Sequence, residues 1–316
     1  MSRTTLAVGC GLLGIGLLLA SGDAEQPTGV YQAEAVAASP RLTASGMAWW
    51  KDRLIIADRG NKRLLAFTPP DRFETFKELQ NPVGVAVDPA GNLIVTEKDV
   101  INHVLRIKPD GSLEELAAEG VATPHFVTVH KGGTIYWSGF PDGSTRSLTP
   151  RGKPVVHEAR IGHTYGIALS PKQDTLFVTS KLPDPGRRAV WRIPVDCEGK
   201  LGKGEEFFKV QDLQPKIDKL PPAKDGGASL LGWLGRLQGL AIDAQGNFYV
   251  AGSESHTSGE AVAVISPDGK QVRAMILGVP RNISSLAFGG PDKRTLFITG
   301  AGEYRLHQVR LPVPGP

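Results

Sequence analysis

The residues with chemistry to offer stand at the edges of short apolar runs. His125 in "TPHFVTVH" and His163 in "HTYGIALS" precede such runs, as does Gln238 in "GRLQGLAIDAQGNFYVAG". Asp58 closes "LIIAD", Glu97 closes "LIVTE" and Lys181 closes "LFVTSK", while Glu254 and His256 fall in "GSESHTSG". An imidazole titrates near neutral pH and suits a general base, an amide can orient a carbonyl, and a neutral imidazole beside a carboxylate suits a metal such as zinc. The structural alternative for each residue is ordinary polarity in a turn or a wet channel. No G-x-S-x-G elbow, Cys-x-x-Cys pair, H-E-x-x-H helix or phosphate-cradling loop occurs, which removes serine-hydrolase, zinc-finger, zincin and P-loop chemistry.

The elements that position these residues repeat. "GMAWWKDRLIIAD", "GVAVDPAGNLIVTE", "FVTVHKGGTIYWSG", "GIALSPKQDTLFVTS", "GLAIDAQGNFYVAG" and "SLAFGGPDKRTLFITG" are six copies of a strand, a tight turn and a second strand. A further strand ending in a turn follows most copies, as in "HVLRIKPDG" and "AVAVISPDG". Three to four strands in each unit of about 40 residues predict an all-β, six-bladed propeller. The gap from Gly166 to Gly239 is nearly twice the others. Residues 211–235, rich in Pro, Lys, Asp and Gly, predict a long loop inserted in one blade and poised over one face. "YQAEAVAA" (31–38) predicts an edge strand that completes the last blade and closes the ring, so that no sheet edge is left open.

Composition narrows the classes. The 36 basic and 32 acidic residues are dispersed over the 316-residue chain, so the net charge of +4 marks no nucleic-acid surface. Arg3 followed by the apolar stretch Leu6–Ala20 and then "SGDAEQ" predicts a signal peptide over 1–24, cleaved after Gly22 or Ala24, and hence an exported protein, periplasmic or secreted. The stretch is short for a membrane span, so no membrane association is expected beyond it. "AVGC" lacks the apolar run before Cys10 that lipidation would need. Removal of residues 1–24 leaves Cys197 as the only cysteine, and with it no internal disulfide. "NIS" (282–284) fits a glycosylation sequon.

"NPVGVAVDPAGNLIVTEK", "GIALSPKQDTLFVTSK", "VWRIPVDCEGKLG" and above all "SSLAFGGPDKRTLFITG" resemble the gluconolactonase-like family, which includes senescence marker protein and luciferin-regenerating enzyme. The resemblance runs from about Ala44 to Leu311. It implies a six-bladed propeller over 25–316 that hydrolyses lactones or related esters with a divalent cation, usually calcium, at the top of the channel. The family's ligands are a Glu in a Ser-Glu-Gly-Pro phrase, an Asn opening an Asn-Asp phrase, an Asn in an Asn-Gly phrase and an Asp in a Pro-Asp-Gly phrase. These positions fall on Ser45, His125, Tyr165 and Gln238. None of the four is retained and both negative charges are gone, so the resident cofactor is left undetermined.

The resemblance brings these four to one channel mouth, with His163 close by. His125, His163 and Gln238 are then the catalytic candidates. Ser45, Tyr165, Glu97 and Lys181 are the substrate-binding candidates, Glu97 matching a Glu found after that strand in many gluconolactonases. The ligand expected is a small lactone or sugar-like molecule. The alternative is a propeller that binds a small ligand or a protein without catalysis, and in a third reading the cluster is inert.

Overall fold

The computed structural model describes residues 25–39, 41–98, 102–118, 123–139, 142–157, 161–181, 188–215, 236–253, 261–300 and 304–316. The expected signal segment, Glu254, His256 and residues 216–235 of the expected insertion lie outside them. Among the described residues no helix is long and apolar enough to cross a membrane.

The turn is built the same way in the two copies that read D-x-x-G-N. In "DPAGN", Asp88 Oδ1 accepts the N–H groups of Ala90 and Asn92 at 2.9 and 2.8 Å, and Asn92 Nδ2 donates to Oδ2 at 2.8 Å. In "DAQGN", Asp243 repeats these bonds with Gln245 and Asn247, and the Tyr249 hydroxyl adds another at 3.2 Å. The glycines turn the chain at φ +79 and +84, where a side chain would be strained. Each turn therefore reverses the chain within a few residues.

Six sheets result. The first is Ala44–Trp50, Arg53–Asp58, Arg63–Thr68 and Arg72–Glu78. The second is Pro82–Val87, Leu93–Glu97, His103–Ile107 and Leu113–Ala117, and the third is Pro124–Val129, Ile135–Gly139, Thr145–Leu148 and Val155–His157. The fourth is His163–Leu169, Thr175–Lys181, Arg188–Pro194 and Glu205–Lys209. The fifth and sixth begin with Arg236–Ile242 and Ile283–Gly289. The first strand of each blade touches that of the next, and the sixth returns to the first. The ring is closed around a central axis.

The core is six apolar layers, one between each pair of neighbouring blades. Leu54 and Ile56 pack toward Phe297 of the sixth blade, whereas Ile55 and Ala57, on the other face of the same strand, pack toward Val85 and Val95 of the second. Burial on both faces explains why these strands read as continuous apolar runs.

One feature differs from the sequence expectation. The 31–38 segment divides between two blades. Gly29–Gln32 pairs parallel with Gln271–Leu277 of the fifth, and Glu34–Ala38 pairs antiparallel with Arg305–Arg310 of the sixth. Ala33 marks the crossing, its N–H donating to the Leu277 carbonyl at 2.8 Å. The described start of the 211–235 segment, residues 211–215, follows the fourth strand of the fourth blade, Glu205–Lys209. Within that described part, Gln214–Pro215 adds a short parallel pairing to the fifth blade.

Candidate functional site

Every innermost strand carries a β-bulge near its start. The register shifts between Ala44 and Met47, Pro82 and Gly84, Pro124 and Val127, Thr164 and Ile167, Leu237 and Leu240, and Ile283 and Ser285. A bulge bends its strand and re-aims the side chain it carries. Ser45, Val83, His125, Tyr165, Gln238 and Ser284 occupy these bulges, one from each blade around the axis. Four are the residues singled out from the sequence. Val83 and Ser284 complete the ring and were missed, although each precedes the first strand of its copy as the other four do.

Glycines let the bulges approach one another. A Cβ on Gly46 would lie 2.6 Å from the Val83 carbonyl oxygen, one on Gly84 2.6 Å from that of His125, and one on Gly166 2.5 Å from that of Gln238. Real Cβ atoms do not come that close to backbone, so alanine would push the blades apart. Hydroxyls on the second strands then fasten neighbouring blades. Thr96 Oγ1 accepts the Gly84 N–H at 2.9 Å and donates to the His125 carbonyl at 2.9 Å. Ser138 Oγ accepts from Phe126 N–H and donates to the Tyr165 carbonyl at 2.6 Å. Thr179 Oγ1 accepts the Gly166 N–H. The backbones bearing His125 and Tyr165 are thus held by the blade before each of them.

His125 and Tyr165 meet edge to face, ring centroids 5.4 Å apart. Tyr165 is buried in the apolar layer between the third and fourth blades with Phe126, Ile161 and Ile167, so it backs the imidazole. His125 is half-buried. Burial, with the nearby charges of Lys98 and Arg59, lowers its pKa to about 4, so the ring is neutral at pH 7. As a general base it is therefore weak. Gln238 is half-buried and lines a small axial cavity of about 70 Å³ together with Phe126, Gly166 and Ser285. Beyond an apolar waist of Met47, Val85, Val127, Ile167 and Leu286, a second cavity of about 340 Å³ lies at the other end, bordered by Trp49 and Lys293. Ser45 is half-buried at the first bulge.

The remaining candidates sit differently. His163 is exposed at the start of its strand, paired in register with Lys181, whose side chain lies outside the described residues. Glu97 is buried, and its Oε1 accepts the N–H groups of Gln80 and Asn81 at 2.8 and 3.2 Å. It clasps the entry to its own blade. Asp58 has the equivalent place in the first blade, accepting Thr43 N–H at 2.9 Å and Arg63 Nε at 2.8 Å.

The donor set does not fit a hard divalent cation. The bulge positions offer hydroxyls, an imidazole and an amide but no carboxylate, and the charges acting on His125 are cationic. A calcium or magnesium site draws on anionic oxygens to offset dehydration of the ion. Among the described residues no group of three or more His, Cys, Asp or Glu converges as a metal site.

Residues 43–302 match a family described as the SMP-30/Gluconolactonase/LRE-like region. Among solved structures, a gluconolactonase from Xanthomonas campestris is 21% identical, the alignment covering 89% of this chain and 88% of that one at a TM-score of 0.64. A calcium-binding regucalcin from Agrobacterium tumefaciens is 18% identical, with 92% and 98% covered and a TM-score of 0.68. A luciferin-regenerating enzyme is 19% identical, with 87% and 94% covered and a TM-score of 0.64. At these identities the likeness establishes the fold. No curated protein matches the chain in sequence.

Proposed function

Because the chain belongs to the SMP-30/gluconolactonase/LRE-like family over residues 43–302, we propose that it hydrolyses a lactone or similar ester at the channel mouth. The observation that carries this reading is the set of polar side chains from separate blades, His125 and Gln238 foremost, at the bulges of a fold whose family acts on such substrates. The Gln238 amide donates to the lactone carbonyl oxygen as negative charge develops there. His125, neutral and backed by Tyr165, accepts a hydrogen bond from the attacking water and orients it. The acyl C–O bond of the ring breaks, the water oxygen joins the acyl carbon, and a hydroxycarboxylate and one proton leave. A base as weak as His125 restricts this chemistry to activated esters such as strained lactones.

Acid release from a lactone panel, followed in a pH-stat with and without chelator, tests the reading. Turnover that survives chelation is expected, and a panel without turnover overturns it. The absence of a carboxylate at the bulges favours a second reading, a propeller that binds a small ligand or a protein at the same mouth without catalysis. The segment Leu6–Ala20 supports export to the periplasm or medium. N-terminal sequencing of the exported protein is expected to find a start after Gly22 or Ala24, and an intact Met1 contradicts it.

A further inference from the structure

The end of the channel away from the bulges has a chemistry of its own. The third residue of every strand-turn-strand phrase is small: Ala48, Ala86, Ala168, Ala241 and Ala287 in five blades, and Thr128 in the third. All six border the cavity of about 340 Å³. Each inner strand pairs on one side only, so its other edge faces the axis. Small side chains at this level leave the axis open, where residues as large as those of the waist would close it. A dry apolar cavity of about 150 Å³ already takes up benzene, so this one has room for two fused rings.

Two aromatic rings border the cavity, and neighbours hold both in place. Trp49 stacks on Phe297, centroids 5.7 Å and planes 4° apart. A Cβ on Gly289 would lie 2.5 Å from the indole, so only glycine admits that ring. Phe288 meets Tyr249 edge to face at 5.1 Å, and Gly315 passes against it. Both rings are half-buried. Aromatic surface that is already immobilised loses little freedom when a flat ligand covers it.

The polar groups are few and mostly committed. The Ser170 hydroxyl donates to Asp174 at 2.8 Å. Lys293, the one charged side chain among the described residues that border the cavity, is exposed and donates to the Pro316 carbonyl at 2.6 Å. The Gln173 amide oxygen is taken by the Lys131 N–H, so its NH2 group is what remains to donate. Thr128 adds a half-buried hydroxyl.

We propose that this cavity is a second binding site, for a small uncharged aromatic molecule that carries a hydroxyl group. Trp49 and Phe288 cover its rings, and Thr128 and Gln173 take its hydroxyl. The waist separates this site from the mouth, so the inference stands apart from lactone hydrolysis.

Calorimetric titration of the full chain with naphthol, and with naphthoate as a charged counterpart of similar shape, tests the proposal. Naphthol is expected to fill one saturable site at least about tenfold more tightly than naphthoate, because a carboxylate buried among apolar walls loses its hydration. Thr128→Leu, which fills the opening, is expected to weaken naphthol binding by about tenfold or more. Thr128→Val, which removes only the hydroxyl, is expected to weaken it by about threefold to tenfold. Melting temperature monitors the folding of both. In the wild-type protein, the indole N–H resonance that Trp49→Phe removes is expected to shift as naphthol is added. No binding of naphthol, uptake at several weak sites, naphthoate bound as tightly, an unmoved Trp49 resonance, or full affinity in folded Thr128→Leu overturns the proposal.

Discussion

At the scale of single residues, His125 is the most informative group. Its pKa of about 4 lies below the ordinary histidine value, so the unfolded chain takes up a proton that the folded chain refuses. The stability this contributes is fully present above pH 6.5 and is lost as pH falls from there toward 4. Urea unfolding of wild type against His125→Gln is expected to show an extra loss in wild type of up to about 2 kcal/mol between pH 7.5 and 5. Parallel profiles would contradict a ring that folding holds neutral. Thr96 offers a second test. Thr96→Val keeps the shape but strips the Gly84 N–H and the His125 carbonyl of their shared partner. A cost of about 1–3 kcal/mol in unfolding free energy is expected, and an unaltered midpoint would mean that the hydroxyl does not fasten the blades.

At the scale of elements, the strand-turn-strand phrases were legible because Asp, Gly and Asn at fixed offsets specify their own turn bonds, as Asp88 and Asp243 do. The bulges were not legible. A bulge is a mismatch of register between two strands, and nothing in "GRLQGLAID" alone states how it pairs with "NFYVAGS". The residues at the mouth were found through family resemblance, whereas the hydrogen bonds by which Asn81 accepts from Arg59 and donates to the Lys98 carbonyl depend on contacts that no local pattern encodes. Glu97 shows the same limit. Its place after an inner strand suggested the site, but the backbone of Gln80 and Asn81 claims it. Close approach at the bulges predicts that Gly166→Ala, facing the Gln238 carbonyl, destabilises by about 1–3 kcal/mol and disturbs the mouth. Gly91→Ala, with open space around it, carries only the strain of its positive φ, of order 1 kcal/mol. Equal losses in thermal unfolding would count against the crowding argument.

At the scale of the whole molecule, closure depends on the segment Gly29–Ala38. It caps the outer edge of the fifth blade and completes the sixth, placing Tyr31 and Ala33 in one apolar layer and Val36 and Ala37 in the next. Cleavage after Ala24 would leave that clasp intact. Removal of residues 25–38 is expected to lower the melting temperature and to promote aggregation through two uncovered strand edges, as scattering on heating would show. An unchanged melt would assign closure to the inner strands alone. The ring also explains how residues as distant in sequence as Ser45 and Gln238 come to border one opening: every blade delivers its bulge to the same end of the axis.

The most direct test is kcat/KM for lactone hydrolysis by Gln238→Ala beside wild type, with melting temperature as the control for folding. The account predicts a fall of at least about tenfold, the loss expected when a donor to the developing oxyanion is removed. Turnover at the wild-type rate in a folded Gln238→Ala protein would place the chemistry somewhere other than this mouth.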